Sequence, residues 1–107
     1  MESLGSLEEI AVRWPEGSGL YRIRGRECGG LMYIGQGHIA PRLVAHLAKT
    51  LVQEHPQGQL FAAAAPLGCS WVVHNEWQSH QRLELENDLI ASHLLATGEI
   101  PVAQFQG

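Results

Sequence analysis

The sequence predicts a small α/β protein of the α+β type, in which a three-stranded antiparallel sheet is flanked by helices. Two β-prone runs, separated by a short glycine-bearing loop, indicate a hairpin over residues 20–36. Two later segments have the length and apolar spacing of helices, and a third β-prone run lies between them. The order ββαβα within 107 residues favours one domain that spans residues 1–107.

The first elements in the chain are the strands of the predicted hairpin. Before them, Leu7 to Val12 is compatible with a helical turn, and Trp14 to Ser18 is typical of a turn that leads into a strand. The first strand is predicted from Leu20 to Arg24, and the second from Leu31 to Gln36. Alternation along the first strand places Tyr21 on one face and the arginines on the other.

The first helix is predicted from Ile39 to Gln53, with Pro41 in the first turn, where its missing N–H does no harm. Apolar residues at four-residue spacing predict a core stripe made of Ile39, Leu43, Leu47 and Leu51. The other side of this helix is predicted to carry Arg42, His46, Lys49 and Gln53. Arg42 and His46 project from neighbouring turns, so both can reach the same ligand.

The second half of the chain is predicted to contain one strand and one long helix. Glu54 to Gly68 has an irregular composition, with a short helix at Leu60 to Ala65. The third strand is predicted from Cys69 to His74, and the second long helix from Gln78 to Ala96. Gly98 fits the C-terminal cap of that helix.

Glu86 is the most informative residue of the second long helix. On a helical wheel the core side is defined by Leu83, Leu89, Ile90 and Leu94. Glu84 and Asp88 point away from this side, whereas Glu86 falls inside the apolar arc. A carboxylate there is costly unless it is paired, protonated or bound to a metal. Glu86 is therefore either a metal ligand at the edge of a cleft or a rim residue paired with an arginine.

Charge limits the kinds of partner that the chain can bind. The formal net charge is −4, which argues against a free-standing, high-affinity binder of nucleic acid. The basic residues are nevertheless clustered, because five of the seven lie between positions 22 and 49. They are Arg22, Arg24, Arg26, Arg42 and Lys49. This cluster is either a phosphate-facing patch or an ordinary solvated surface.

Other function classes are disfavoured by composition. No apolar run approaches the roughly 20 residues that span a bilayer, and no signal-peptide pattern is present, so we expect a cytoplasmic protein without membrane contact. Cys28 and Cys69 are too few for a disulfide framework and lack the spacing of a zinc site.

Four segments together resemble the GIY-YIG nuclease family over residues 18–105. Gly19-Leu20-Tyr21-Arg22-Ile23 and Met32-Tyr33-Ile34-Gly35-Gln36-Gly37 are similar to its two signature strands, with Leu20 in place of the usual isoleucine. Arg42-Leu43-Val44-Ala45-His46 is similar to its first-helix segment, and Leu85 to Ile90 resembles the segment with its metal-binding glutamate. After Pro101, Gln104 stands where the family often has asparagine.

This resemblance implies a divalent-metal-dependent endonuclease that hydrolyses phosphodiester bonds in DNA, with Mg²⁺ or Mn²⁺ held by Glu86. Tyr21 is our first choice for the residue that activates water, with Tyr33 as its partner. Arg42 would stabilise charge on the phosphate, and His46 would move a proton or hold Tyr21. Substrate contacts are assigned to Arg22, Arg24, Gly35 and Lys49, with Gly35 needed for a close backbone approach.

The alternatives are the same site acting on RNA or on branched or damaged DNA, and a catalytically weak interaction module with the same fold. A protein partner or a homo-oligomer is expected to supply target specificity.

Overall fold

The computed structural model describes residues 2–6, 16–25 and 30–105. In chain order its elements are β1 Glu2–Ser6, β2 Ser18–Gly25, β3 Leu31–His38, α1 Ile39–Lys49, α2 Pro56–Ala64, β4 Leu67–Val73 and α3 Ser79–Thr97. The strands form one antiparallel sheet in the order β1-β4-β2-β3. The α+β class and the three predicted antiparallel strands are confirmed. Strand β1 adds a fourth, which the sequence did not signal because Glu2–Ser6 has no β-branched or aromatic residue.

The register of the hairpin decides which side chains share a face. Tyr21 lies opposite Gly35, and Ile23 lies opposite Tyr33, in the pairing of β2 with β3. On the other side of β2, Trp71 of β4 lies opposite Tyr21. Because directly paired residues project to the same side of a sheet, both tyrosines lie on one face.

Helices α1 and α2 cover the face that carries the tyrosines. The buried core on this side comprises Tyr21, Ile23, Met32, Ile39, Leu43, Phe61, Leu67, Cys69 and Ala103. Helix α3 contacts β3 instead, where Ile90 and the partly buried Leu89 pack against Leu31 and Ile34. Two helices from different parts of the chain therefore flank strand β3.

Helix α1 ends at Lys49, earlier than predicted. The Thr50 hydroxyl donates to the Leu47 carbonyl at 2.6 Å, and the chain then continues in tight turns. Leu51 is consequently 84% exposed, so its predicted place in the core stripe is wrong. Helix α2 begins at Pro56, before the predicted start, because the His55 ring accepts a hydrogen bond from the Gly58 N–H at 3.1 Å and caps it.

The ends of helix α3 agree with the prediction, but its buried face is narrower than predicted. Gln78 and Gln81 form a capping box at its start, and Gly98 adopts the left-handed conformation at its end, with φ 81°. Ile90 is buried as predicted. Leu83 and Leu94 are exposed, so the predicted core side is too wide.

Some predicted features lie outside the described residues. They are the helical turn at Leu7 to Val12, the start of the turn at Trp14, and the side chains of Arg26 and Cys28. Cys69 is buried. Over the described part of the chain, no helix combines the length and the apolar character needed to cross a membrane.

Candidate active site

The two tyrosines of the sheet form the floor of the candidate site. Their rings stack with centroids 6.1 Å apart and planes inclined by 24°. Tyr21 is only 1% exposed, whereas Tyr33 is partly exposed. A Cβ on Gly35 would overlap the Cζ and hydroxyl oxygen of Tyr21. The group that comes close to the Gly35 backbone is therefore the phenol of Tyr21. A direct contact between Gly35 and substrate stays a prediction.

His46 supports the tyrosines from helix α1. Its Nε2 lies 2.8 Å from the Tyr21 hydroxyl, within hydrogen-bond distance. The imidazole centroid is 4.5 Å from that of Tyr33 and 5.4 Å from that of Phe61. His46 is only 5% exposed, so its predicted place on the polar side of the helix is wrong. The helical wheel could not anticipate this, because Phe61 reaches His46 from a separate short helix, and a wheel of one helix carries no information on such a contact.

Burial keeps this inner part of the site uncharged. Burial, together with Lys49 and Arg42, lowers the pKa of His46 to about 3, so the ring is neutral at physiological pH. Burial also raises the pKa of Tyr21 far above its ordinary value, and Tyr33 contributes to this rise. The nearby charge of Arg42 favours the phenolate but does not outweigh burial. Tyr21 at rest is therefore a phenol.

Arg42 and Glu86 bring opposite charges to the tyrosines from two helices. Arg42 is exposed on α1, and its side chain lies against Gly37. A Cβ atom added to Gly37 would be 3.3 Å from the Arg42 Nε. Glu86 is partly buried on α3, as its position in the apolar arc indicated. Burial raises the pKa of Glu86, while Arg42 lowers it. Burial and Glu86 raise the pKa of Tyr33, and Arg42 lowers it. The charges of Arg42 and Glu86 therefore both act on Tyr33.

The Glu86 carboxylate fits the metal that the resemblance implies. Within the described residues it makes no hydrogen bond or ion pair, although it is partly buried. Magnesium is often bound through one or two carboxylates, with waters and substrate phosphates completing its ligands. The described chain offers no group of three or more His, Cys, Asp or Glu side chains that could form a cage by themselves. Glu86 therefore fits a cation that is shared with substrate and water.

Gln104 has a structural role that the sequence did not reveal. Its side-chain oxygen accepts from the Ile34 N–H at 2.9 Å, and its amide nitrogen donates to the Ile34 carbonyl at 2.9 Å. The preceding backbone N–H of Ala103 donates to the Met32 carbonyl at 2.8 Å. The carboxamide thus acts like an added strand residue at the open edge of β3. It fixes the backbone between Tyr33 and Gly35.

The predicted substrate-contacting cations do not form one patch. Arg22 and Arg24 lie on the face of β2 opposite to Tyr21, where the Arg22 Nε donates to the Ser70 hydroxyl at 3.3 Å. Lys49 lies on α1, and its ammonium donates to the buried Gln57 side chain at 2.7 Å. Only Arg42 and Lys49 therefore share helix α1 with His46, and substrate contact by any of these four side chains stays a prediction.

No protein-family model matches the chain, and no curated protein is significantly similar to it. Support for any function therefore comes from the residues and their geometry.

Proposed function

We propose that this protein is a GIY-YIG-type, divalent-metal-dependent endonuclease that hydrolyses phosphodiester bonds in DNA. The observation that carries the proposal is the convergence of Tyr21, Tyr33, His46, Arg42 and Glu86. These side chains come from two strands and two helices, and each affects the pKa of, or contacts, at least one of the tyrosines. Clusters of titratable groups with shifted pKa values are typical of functional sites.

Arg42 is assigned to the phosphate. Its guanidinium is exposed, and its planar set of donors matches two phosphate oxygens. Gly37 leaves the space beside the Arg42 side chain free. Arg42 would bind the scissile phosphate and stabilise the charge that accumulates on it in the transition state.

Glu86 is assigned to the metal, which would be Mg²⁺ or Mn²⁺. When bound, such an ion supplies positive charge to the phosphate and leaving oxygens and favours ionisation of nearby water or phenol. The chain's own contribution is a partly buried carboxylate without a partner among the described residues, held beside Arg42 and Tyr33.

The tyrosines are assigned to orienting the attacking water and transferring its proton. The sequence favours Tyr21 for activating water, but its side chain is almost completely buried, whereas part of Tyr33 faces solvent. A residue that activates water must lie within hydrogen-bond reach of it. Accessibility therefore favours Tyr33 for this role, with Tyr21 and His46 behind it.

The experiment that tests the proposal is nicking of supercoiled plasmid by the purified chain with Mg²⁺, Mn²⁺ or EDTA. The expected result is cleavage with either metal and none with EDTA, at a rate that follows the protein through purification. Parallel reactions with RNA and with branched DNA identify the preferred substrate. Absence of metal-dependent cleavage of every substrate would reject the nuclease and leave an interaction module. A cytoplasmic location belongs to the same proposal and is tested by fractionation of cells.

A further inference from the structure

The direction of the hydrogen bond between Tyr21 and His46 determines which of these two buried side chains supplies the shared proton. The two atoms are 2.8 Å apart and both side chains are buried. A distance alone does not fix the direction, because a hydroxyl can donate or accept and a neutral imidazole carries its proton on either nitrogen. The surroundings of the second ring nitrogen resolve the ambiguity.

The Nδ1 atom of His46 is buried and has no hydrogen-bond partner in the described structure. If Nδ1 carried the proton, a buried N–H would be left without an acceptor. If Nε2 carries it, that N–H donates to the Tyr21 oxygen, and only a lone pair on Nδ1 is left unmatched. Orphaned buried N–H groups are rarer in proteins than acceptors with unused lone pairs. The second arrangement is therefore favoured.

We propose that His46 is held as the Nε2–H tautomer and donates to Tyr21, so that the Tyr21 hydroxyl keeps its own proton for a second acceptor on the side of Tyr33, whose ring stacks against it. Tyr21 and His46 are then positioning residues behind Tyr33, the tyrosine that the proposed function places against water. The tautomer follows from the geometry of this chain, whereas the role of Tyr33 rests on the proposed nuclease function.

Both phenols are less acidic than an exposed tyrosine. Burial raises the pKa of each, and the neighbouring Tyr33 adds to the rise at Tyr21. The charged groups that face Tyr33 are Arg42 from α1, which lowers its pKa, and Glu86 from α3, which raises it. A hydrogen bond from Tyr21 would help to stabilise a Tyr33 phenolate. Among the described residues, the hydrogen-bond partner of the Tyr21 hydroxyl is His46.

The tautomer can be read by ¹⁵N NMR of the histidine side chains in the full chain. The His46 signals are those lost in His46→Gln, with His80→Gln, an exposed histidine, as the matched control. The expected result is a pyrrole-type shift at Nε2 and a pyridine-type shift at Nδ1, unchanged between about pH 8 and about pH 5, because the pKa of His46 is about 3. The reverse assignment of the two shifts would overturn the proposal.

Cleavage rates test the roles of the two tyrosines. Tyr33→Phe should lose about 100-fold or more in rate, as expected for loss of an acid–base residue. Tyr21→Phe should lose less and should shift the rising limb of the pH–rate profile to higher pH, because the Tyr33 phenolate loses the neighbouring hydroxyl that stabilises it. A greater loss in Tyr21→Phe, with both variants folded, would overturn the assignment of Tyr33. If the wild-type chain cleaves nothing, the proposed function fails, and the NMR measurement still decides the tautomer.

Discussion

Arg42 is the residue whose chemistry is hardest to replace. Arg42→Lys keeps the positive charge but loses the planar pair of donors that fits a phosphate. By analogy with removal of one transition-state donor, we expect a loss of about 100-fold or more in the rate of cleavage. The measurement is single-turnover cleavage of plasmid DNA, with Arg82→Lys as a control on α3. Full activity of Arg42→Lys would make Arg42 an ordinary surface residue.

His46 makes the stability of the fold depend on pH. Folding lowers its pKa from 6.5 to about 3, so the unfolded chain binds this proton more readily than the folded chain. The contribution of His46 to stability is therefore complete above about pH 6.5 and is lost as the pH falls toward about 3. Below about pH 6 the free energy of unfolding should fall by about 1.4 kcal/mol per pH unit from this residue.

Urea unfolding of the wild type and of His46→Gln at several pH values measures this contribution. His46→Gln should unfold more easily at neutral pH but should show a shallower loss of stability on acidification. Equal pH dependence in the two proteins would contradict a buried, neutral His46.

At the scale of elements, the short segment after α3 closes the edge of strand β3. Gln104→Ala would leave the N–H and the carbonyl of Ile34 without partners. We expect the free energy of unfolding to fall by about 2–4 kcal/mol, since each unsatisfied buried group costs about 1–3 kcal/mol. Gln59→Ala is the matched control, because Gln59 also donates to a backbone carbonyl but is exposed. A loss no larger than that of Gln59→Ala, measured by urea unfolding, would show that the Gln104 contacts do not stabilise the fold.

The elements also show which features of this chain local patterns can predict. The alternation of residues along the strands predicts the hairpin, and the position of Gly98 predicts the helix cap. The helical spacing of apolar residues predicts the inward position of Glu86. The burial of His46 and the role of Gln104 did not, because each depends on a partner far away in sequence: Phe61 and Ile34. Long-range partners of this kind leave no periodic signal.

At the scale of the whole molecule, the cations are divided between the two faces of the sheet. If the five clustered basic residues formed one patch, they would contact about three to five phosphates. The structure puts Arg22 and Arg24 on the face away from Tyr21. Arg42 and Lys49 remain on the side of the candidate site, where both lower the pKa of His46. With about two phosphate contacts, the slope of log affinity against log salt on duplex DNA should be about −2.

Fluorescence anisotropy over a salt series measures this slope. Arg42→Gln should make it shallower by about 0.9. The joint replacement of Arg22 and Arg24 by Gln should leave it unchanged. A change in the second variant alone would move the DNA to the other face of the sheet.

The central claim is that Glu86 holds the divalent cation of a nuclease, and one measurement tests it most directly. Glu86→Gln and Glu84→Gln remove the same charge from the same helix, but Glu84 is exposed and points away from the tyrosines. Both variants should have wild-type circular dichroism. In a Mg²⁺ titration of plasmid nicking, Glu84→Gln should match the wild type and Glu86→Gln should show no metal-dependent cleavage. Cleavage by Glu86→Gln at close to the wild-type rate would contradict the claim.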